Sequence, residues 1–327
     1  MESLFFVLLA SFSFTYLAVP WFVPRLLKAG IYGKDINKKS KAEIPEMGGL
    51  AIIGGFLVGV LLAIGFATFN VFDVSFDLAL VLAGLSVVLV MGLIGVIDDL
   101  LLINQKVKAF LPLFAALPLV AVKAGVTSMD IPFLGNVNFG ILYPLLLVPL
   151  AINGASNATN MLAGFNGLEA GLGVIMCSTI GFVAYALGKP EAVIISFALL
   201  GALLAFLRYN GYPSKVFIGD VGTLSIGAVV AVSVILGNIE KAGMILFVPY
   251  FLELFLKARG RFKKPAWGIL KAGKLYCMRR KDIYGMSNLV MHIFGGVSER
   301  NLVFTIWLVE SLFSAIVLCS YFGPRIF

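Results

Sequence analysis

Stretches of about twenty apolar residues recur along this chain, and no other property limits its fold so strongly. A helix needs roughly 20 apolar residues to cross the hydrocarbon of a bilayer. Such runs lie near 3–27, 48–69, 77–97, 109–123, 139–152, 170–188, 192–209, 222–238, 242–256 and 301–320. Short turns rich in Pro, Gly and Asn separate them, with no linker long enough to divide domains. The composition agrees: of 327 residues, 60% are hydrophobic and only 13% charged. A water-soluble globule would hold about 25% charged residues, and a disordered chain cannot be this apolar. The expected fold is all-α, a polytopic integral membrane protein of about ten transmembrane helices forming one domain over 1–327. The runs at 109–123 and 139–152 are short or interrupted by proline. The first run, from Glu2 to Trp21, is too long for a signal-peptide core and has its basic residues after it, so it reads as a retained span.

The loops alternate sharply in charge. One side carries Arg25, Lys28, Lys34, Lys38, Lys39, Lys41, Lys106, Lys108, Arg208 and Lys215, together with eleven basic residues between Lys257 and Arg300; these are 21 of the 25 in the chain. The other side has Lys123, Lys189, Lys241 and Arg325. Basic loops stay in the cytoplasm, so both termini are expected on the non-cytoplasmic side, as an even number of spans requires. The net charge of +8 is then an orientation signal rather than a sign of nucleic-acid binding. Cys177, Cys277 and Cys319 have no disulfide or metal-ligand spacing. A single histidine, His292, excludes a His-rich metal site and reads as a packing or capping residue.

Nearly all unusual polar residues fall in the cytoplasmic loops, at about 28–47, 98–108, 153–169, 210–221 and 257–300. The third run ends in Asp98-Asp99. Adjacent carboxylates at a membrane border are costly and usually functional, though a solvated helix end would look the same. Neighbouring helical residues point about 100° apart, so the two are expected to do different work. Asn153, Asn157 and Asn160 would share one helix face, followed by Gly164, Asn166 and Gly167. Such amides suit a hard cation or a base, and equally a capping turn. Asn157 also heads a glycosylation sequon, which the cytoplasmic placement argues against. Asp220 opens a span, where it reads either as a helix cap or as a hard-oxygen metal ligand. Phe217 would stack on a base or anchor in the membrane. The cluster from Lys257 through Arg259, Arg261, Lys263 and Lys264, with Arg279, Arg280 and Lys281, suits phosphate groups or anionic lipid. Gathered on one face, these residues are the inventory of metal-assisted chemistry on a pyrophosphate.

These motifs resemble the polyprenyl-phosphate N-acetylhexosamine-1-phosphate transferases, a family that includes the bacterial phospho-MurNAc-pentapeptide translocase and the eukaryotic and archaeal N-acetylglucosamine-1-phosphate transferases. The resemblance runs from Lys34 to Leu302. It is carried by Lys34-Asp35-Ile-Asn37-Lys38, Ile44-Pro45-Glu46, Asp98-Asp99 with Lys108, Asn157-x-x-Asn160-x-x-x-Gly164-x-Asn166-Gly167-Leu168-Glu169, Phe217-x-Gly219-Asp220 and Arg259-Gly260-Arg261. The wording and the short last loop are similar to the archaeal and eukaryotic branch. The bacterial histidine-rich loop is absent. The eukaryotic Arg-His-Arg reads Arg259-Gly260-Arg261, so no histidine role carries over.

The resemblance implies transfer of N-acetylglucosamine-1-phosphate from UDP-GlcNAc to polyprenyl (dolichyl) phosphate, giving the pyrophosphate-linked sugar and UMP at the start of N-glycan assembly. It implies Mg²⁺, with Mn²⁺ as a substitute, held by Asn160 and Asp220. It implies Lys108 at the lipid phosphate, Gly164 and Asn166 at uracil with Phe217 stacking, and Lys34, Asp35, Ile36, Glu46, Arg259 and Arg261 along the nucleotide sugar. Asn157 joins the substrate contacts. Asp98 and Asp99 would position or deprotonate the nucleophile. The expected partners are the two substrates and the bilayer, with no nucleic acid; a homodimer is also expected. The expected setting is the cell membrane of an archaeon or the endoplasmic reticulum of a eukaryote. Two other readings stand beside this one. The first is the same chemistry with another UDP-N-acetylhexosamine or with undecaprenyl phosphate. The second is a membrane transporter, against which the one-sided polar residues and the lack of inverted halves argue.

Overall fold

A computed structural model describes residues 2–38, 42–72, 75–101, 103–131, 135–264, 266–277 and 283–323. Among them, seven helices are long and apolar enough to cross a membrane. They are α1 (Glu2–Lys28), α2 (Gly49–Thr68), α3 (Leu78–Leu101), α8 (Leu168–Ala186), α9 (Pro190–Asn210), α10 (Gly219–Gly237) and α14 (Glu299–Phe322). The all-α membrane expectation holds. The triplet Arg279, Arg280 and Lys281, and also Lys39, Lys41 and Arg325, lie outside the described residues.

Of the remaining three apolar runs two fold as broken helices and one as a continuous helix with an irregular first turn, and a proline stands at each irregularity. The run at 109–123 becomes α4 (Gln105–Phe110), α5 (Pro112–Ala115) and α6 (Leu117–Ala121). Pro112 and Pro118 each lack the N–H that would continue the preceding turn. The run at 139–152 starts with a π-helical turn, Tyr143–Leu147, and continues without a gap as α7 (Val148–Met161). Its helix therefore runs nine residues beyond the expected end. The Asn153–Asn160 cluster, expected in a loop, forms the last turns of α7. The run at 242–256 divides into α11 (Glu240–Leu246) and α12 (Val248–Arg259) at Phe247, just before Pro249.

Among the described residues there are also three antiparallel hairpins: β1 (Tyr32–Lys34) with β2 (Glu43–Pro45), β3 (Ser128–Ile131) with β4 (Gly135–Asn138), and β5 (Ile269–Lys271) with β6 (Lys274–Tyr276). The short α13 (Met286–Ile293) follows the last of them.

Helix α10 is the axis of the bundle. Every residue from Val221 to Gly237 is buried. Without a hydrophobic drive between helices in lipid, packing relies on small residues that let backbones approach. A Cβ on Gly49 of α2 would sit 2.4 Å from the Gly222 nitrogen. A Cβ on Gly95 of α3 would sit 2.3 Å from the Val221 Cα. Both contacts grip the first turn of α10, where Asp220 stands. By contrast, α1 and α14 expose apolar side chains to what must be lipid, with Leu17 71% and Phe304 63% exposed.

Helix ends converge on one face. The C-terminal end of α1 leads into β1, and β2 leads into α2. Phe217, just before α10, donates its N–H to the Pro45 carbonyl and accepts from Gly48, both at 2.8 Å. The last turns of α3 and α7 and the first turn of α14 reach the same region. Glu2 and Phe322 consequently lie at helix ends away from it.

Candidate active site

At this face lies a cavity of about 360 Å³. Of the residues singled out in the sequence, Lys34, Asp35, Ile36, Glu46, Asn160, Gly164, Asn166, Phe217 and Asp220 line it. Asp98, Asp99 and Lys108 sit beside it, in contact with Asp220 or its backbone. Asn157 turns back along α7, donating to the Asn153 carbonyl at 3.0 Å. Arg259, the last residue of α12, and Arg261, in the turn after it, are exposed and do not line the cavity.

The adjacent carboxylates separate as the helical angle requires. Asp99 accepts the backbone N–H of Asp220 at 2.8 Å and of Val221 at 3.1 Å. It thereby caps two of the free N–H groups at the start of α10. Asp98 accepts the Ile103 N–H at 3.1 Å and pairs with the Lys108 ammonium at 2.5 Å. Lys108 also pairs with Asp220, so one cation bridges a carboxylate from α3 and one from α10. Burial pulls the Lys108 pKa down, but the Asp220 and Asp98 carboxylates outweigh it and hold it above the usual lysine value. Burial and the charge of Asp220 push Glu46 above the ordinary carboxylate value. Negative potential is thus concentrated where a cation would sit.

Asn160 fits a role as metal ligand. Its side chain makes no hydrogen bond among the described residues, and it lines the same cavity as the Asp220 carboxylate. An amide oxygen and a carboxylate are hard donors, and Mg²⁺ commonly takes one or two protein ligands plus substrate phosphate oxygens. Thr159 fixes the neighbouring backbone, donating to the Thr223 carbonyl of α10 at 2.8 Å.

The loop between α7 and α8 is pinned from three directions. Gly164 and Gly167 take positive φ, 113° and 82°, which bends the chain sharply around Asn166. The Gly164 N–H donates to buried Glu169 at 2.5 Å, and the Asn166 N–H donates to buried Glu299 of α14 at 2.9 Å. The Asn166 amide donates to Asp35 at 3.2 Å and accepts from the Ser214 N–H at 2.7 Å and from Lys38. Lys38 in turn pairs with Asp35. In this arrangement the Asn166 side chain is committed to protein partners.

Sequence reasoning did not single out Lys38, Glu169, Thr223, Trp267 or Glu299. Lys38 and Glu169 lay inside quoted motifs. Glu299 looks like an ordinary acidic residue at a helix start, and Trp267 stands alone in a basic loop. Neither carries a spacing signal.

Carboxylates, an amide unpaired among the described residues and an ammonium around one cavity at a membrane border form a site suited to stabilising charge during phosphoryl transfer. The chain belongs to glycosyl transferase family 4, whose sequence pattern matches residues 79–238. It is 30% identical over 356 residues to the UDP-N-acetylglucosamine–dolichyl-phosphate N-acetylglucosaminephosphotransferase of Dictyostelium discoideum, covering 95% of this chain and 85% of that one. A relative from Saccharolobus solfataricus that carries the same name provisionally is 36% identical over 312 residues, 94% of each chain. The phospho-N-acetylmuramoyl-pentapeptide-transferase of Halalkalibacterium halodurans is 32% identical over 334 residues, 96% of each chain.

Proposed function

We propose that this chain transfers N-acetylglucosamine-1-phosphate from UDP-GlcNAc to a membrane polyprenyl (dolichyl) phosphate. The observation that carries this reading is the Asn160 amide, unpaired among the described residues, lining one cavity with Asp220, against which Lys108 is held. In the reaction an oxygen of the lipid phosphate attacks the β-phosphorus of the donor. The bond from that phosphorus to the oxygen shared with the α-phosphate breaks, and UMP leaves. A phosphate nucleophile needs little help from a base; the task is to hold like charges together.

Lys108 supplies positive charge to the acceptor phosphate. Asp98 holds the Lys108 ammonium in place. Asp220 and Asn160 would bind Mg²⁺, or Mn²⁺ in its place, which would neutralise charge on the diphosphate. Phe217, Gly164 and the backbone around Asn166 form the nucleotide end of the cavity, with Lys34, Asp35, Ile36 and Glu46 beside it. Arg259 and Arg261 lie outside the cavity lining and would reach the donor only after moving. The whole chain acts as one transferase domain of ten spans, counting the three proline-interrupted runs. The site faces the cytoplasm, because the basic residues gather there. The membrane is that of the cell in an archaeon and of the endoplasmic reticulum in a eukaryote.

Purified protein should release UMP from UDP-GlcNAc only when polyprenyl phosphate is present, and a chelator should stop it until Mg²⁺ or Mn²⁺ is restored. Equal UMP release without the lipid acceptor would overturn the reading. Transfer from UDP-MurNAc-pentapeptide in preference to UDP-GlcNAc would move the chain to the bacterial type of reaction.

A further inference from the structure

Trp267 has no role in the chemistry described so far, yet it lines the cavity. It is the one residue of the segment after α12 that does so among the described residues. Its backbone is held firmly. Ala266, next to it, accepts from the buried Ser287 hydroxyl at 2.7 Å and the buried Asn288 amide at 2.9 Å. Those residues belong to α13, whose first N–H, at Met286, donates to the buried Glu253 carboxylate of α12 at 2.6 Å. The indole is thus mounted on a frame of α12 and α13 rather than on a free loop.

Its side chain, by contrast, has not been used. The residue is 49% exposed, and no ring or hydrogen-bond partner engages the indole among the described residues. The other two tryptophans are committed. Trp21 carries Arg25 over its ring at 3.8 Å, and Trp307 donates to the Leu168 carbonyl at 3.1 Å. A large aromatic face left open on a cavity wall is a common form of ligand contact.

Two rings therefore enter the cavity from different walls. Phe217 sits against Gly33 and the first hairpin. Trp267 comes from the side of α12, which packs on α7. A nucleotide sugar likewise offers two broad faces, a planar base and a pyranose. Phe217 has no polar atom and can only stack, which suits a conjugated base. Trp267 adds an N–H donor at the edge of its ring, which suits a saturated ring that packs on the indole face and carries hydroxyl and acetamido oxygens at its rim. We propose that Trp267 packs against the N-acetylhexosamine of the donor and sets selectivity for that sugar. This assignment rests on the functional reading above.

The test uses intrinsic fluorescence of the full chain in detergent, titrated with UDP-GlcNAc, UDP-glucose and UDP, beside Trp267→Phe and Trp267→Ala. Being exposed, position 267 tolerates substitution without loss of the fold. UDP-GlcNAc should change the emission of the unsubstituted chain and not that of Trp267→Phe, and UDP should leave it nearly unchanged. Trp267→Ala should raise KM for UDP-GlcNAc roughly 5- to 10-fold, keep its affinity for UDP within about twofold, and narrow the preference for UDP-GlcNAc over UDP-glucose. A full emission change with UDP alone would assign the indole to the base and overturn the proposal. So would an equal UDP-GlcNAc response from Trp267→Phe. If calorimetry shows that the unsubstituted chain binds neither UDP nor UDP-GlcNAc, the functional reading itself fails, and this assignment with it.

Discussion

The carboxylate of Asp99 receives the backbone N–H of Asp220 at 2.8 Å, so the residue beside one candidate catalytic group fixes the position of another. Hydrogen bonds to charged acceptors contribute about 1.5–3 kcal/mol each. Asp99→Ala should therefore lower the thermal unfolding midpoint and reduce UMP release together. Asp99→Asn, which keeps one acceptor oxygen, should fall between. Asp98→Asn should show the opposite balance, with activity lost and the midpoint lowered less. Circular dichroism in detergent and the UMP assay, run on the same preparations, check the pattern. Equal midpoints for Asp99→Ala and the unsubstituted chain would remove the capping role.

Lys108 stands between Asp98 and Asp220, and its removal leaves two carboxylates facing each other. Breaking such a pair by deleting one partner is strongly destabilising when it is buried; here, with the lysine side chain 24% exposed, about 2 kcal/mol is expected. Lys108→Met should lose stability and activity. Adding Asp98→Asn to it should restore stability and leave activity absent, because the acceptor phosphate still lacks its cation. Chemical denaturation of the single and double variants measures the first effect and UMP release the second. Recovery of activity in the double variant would show that Lys108 serves only to balance charge.

Much of this fold was legible in the chain. Apolar runs located all seven long helices, because nothing but a membrane accounts for their length. The irregularities in the other three runs were foreshadowed only by Pro112, Pro118, Pro144 and Pro249, since where a proline interrupts a span depends on its neighbours. The site was legible as a list of residue types but not as a set of partners. Asp98 and Asp99 look alike in sequence and diverge only because α10 begins against one of them. Arg259 and Arg261 matched a motif, yet from that segment it is Trp267 that reaches the cavity lining. The loop path after α12 decides this, and no periodicity encodes it.

Glu299 supports a prediction about binding rather than chemistry. It is buried at the start of α14 and accepts the Asn166 N–H at 2.9 Å, more than a hundred residues away in the chain. Glu299→Ala would leave that N–H unpaired and loosen the Gly164–Gly167 bend that lines the nucleotide end. KM for UDP-GlcNAc should rise about 10-fold, as expected for roughly 1.4 kcal/mol of lost binding. The limiting kcat should change by less than about threefold. Steady-state kinetics with saturating acceptor separate the two, and a loss confined to kcat would contradict the positioning role.

The last prediction concerns how Asp220 is held from below. Gly95 of α3 lies against the first turn of α10 so closely that a methyl group would stand 2.3 Å from the Val221 Cα and 2.6 Å from its nitrogen. Both obstacles are backbone, so no side-chain rotation can relieve them; the helices would have to part. Overpacking of this kind costs about 1–3 kcal/mol or more. Gly65, near the end of α2, has nothing within 4 Å of a built Cβ. Gly65→Ala should be neutral or stabilise the chain by up to about 1 kcal/mol through helix propensity. Gly95→Ala should lower the unfolding midpoint by several degrees and depress UMP release beyond what the folded fraction explains, because Asp220 shifts with α10. Matched midpoints for the two variants would mean that the α3–α10 contact does not set the geometry of the site.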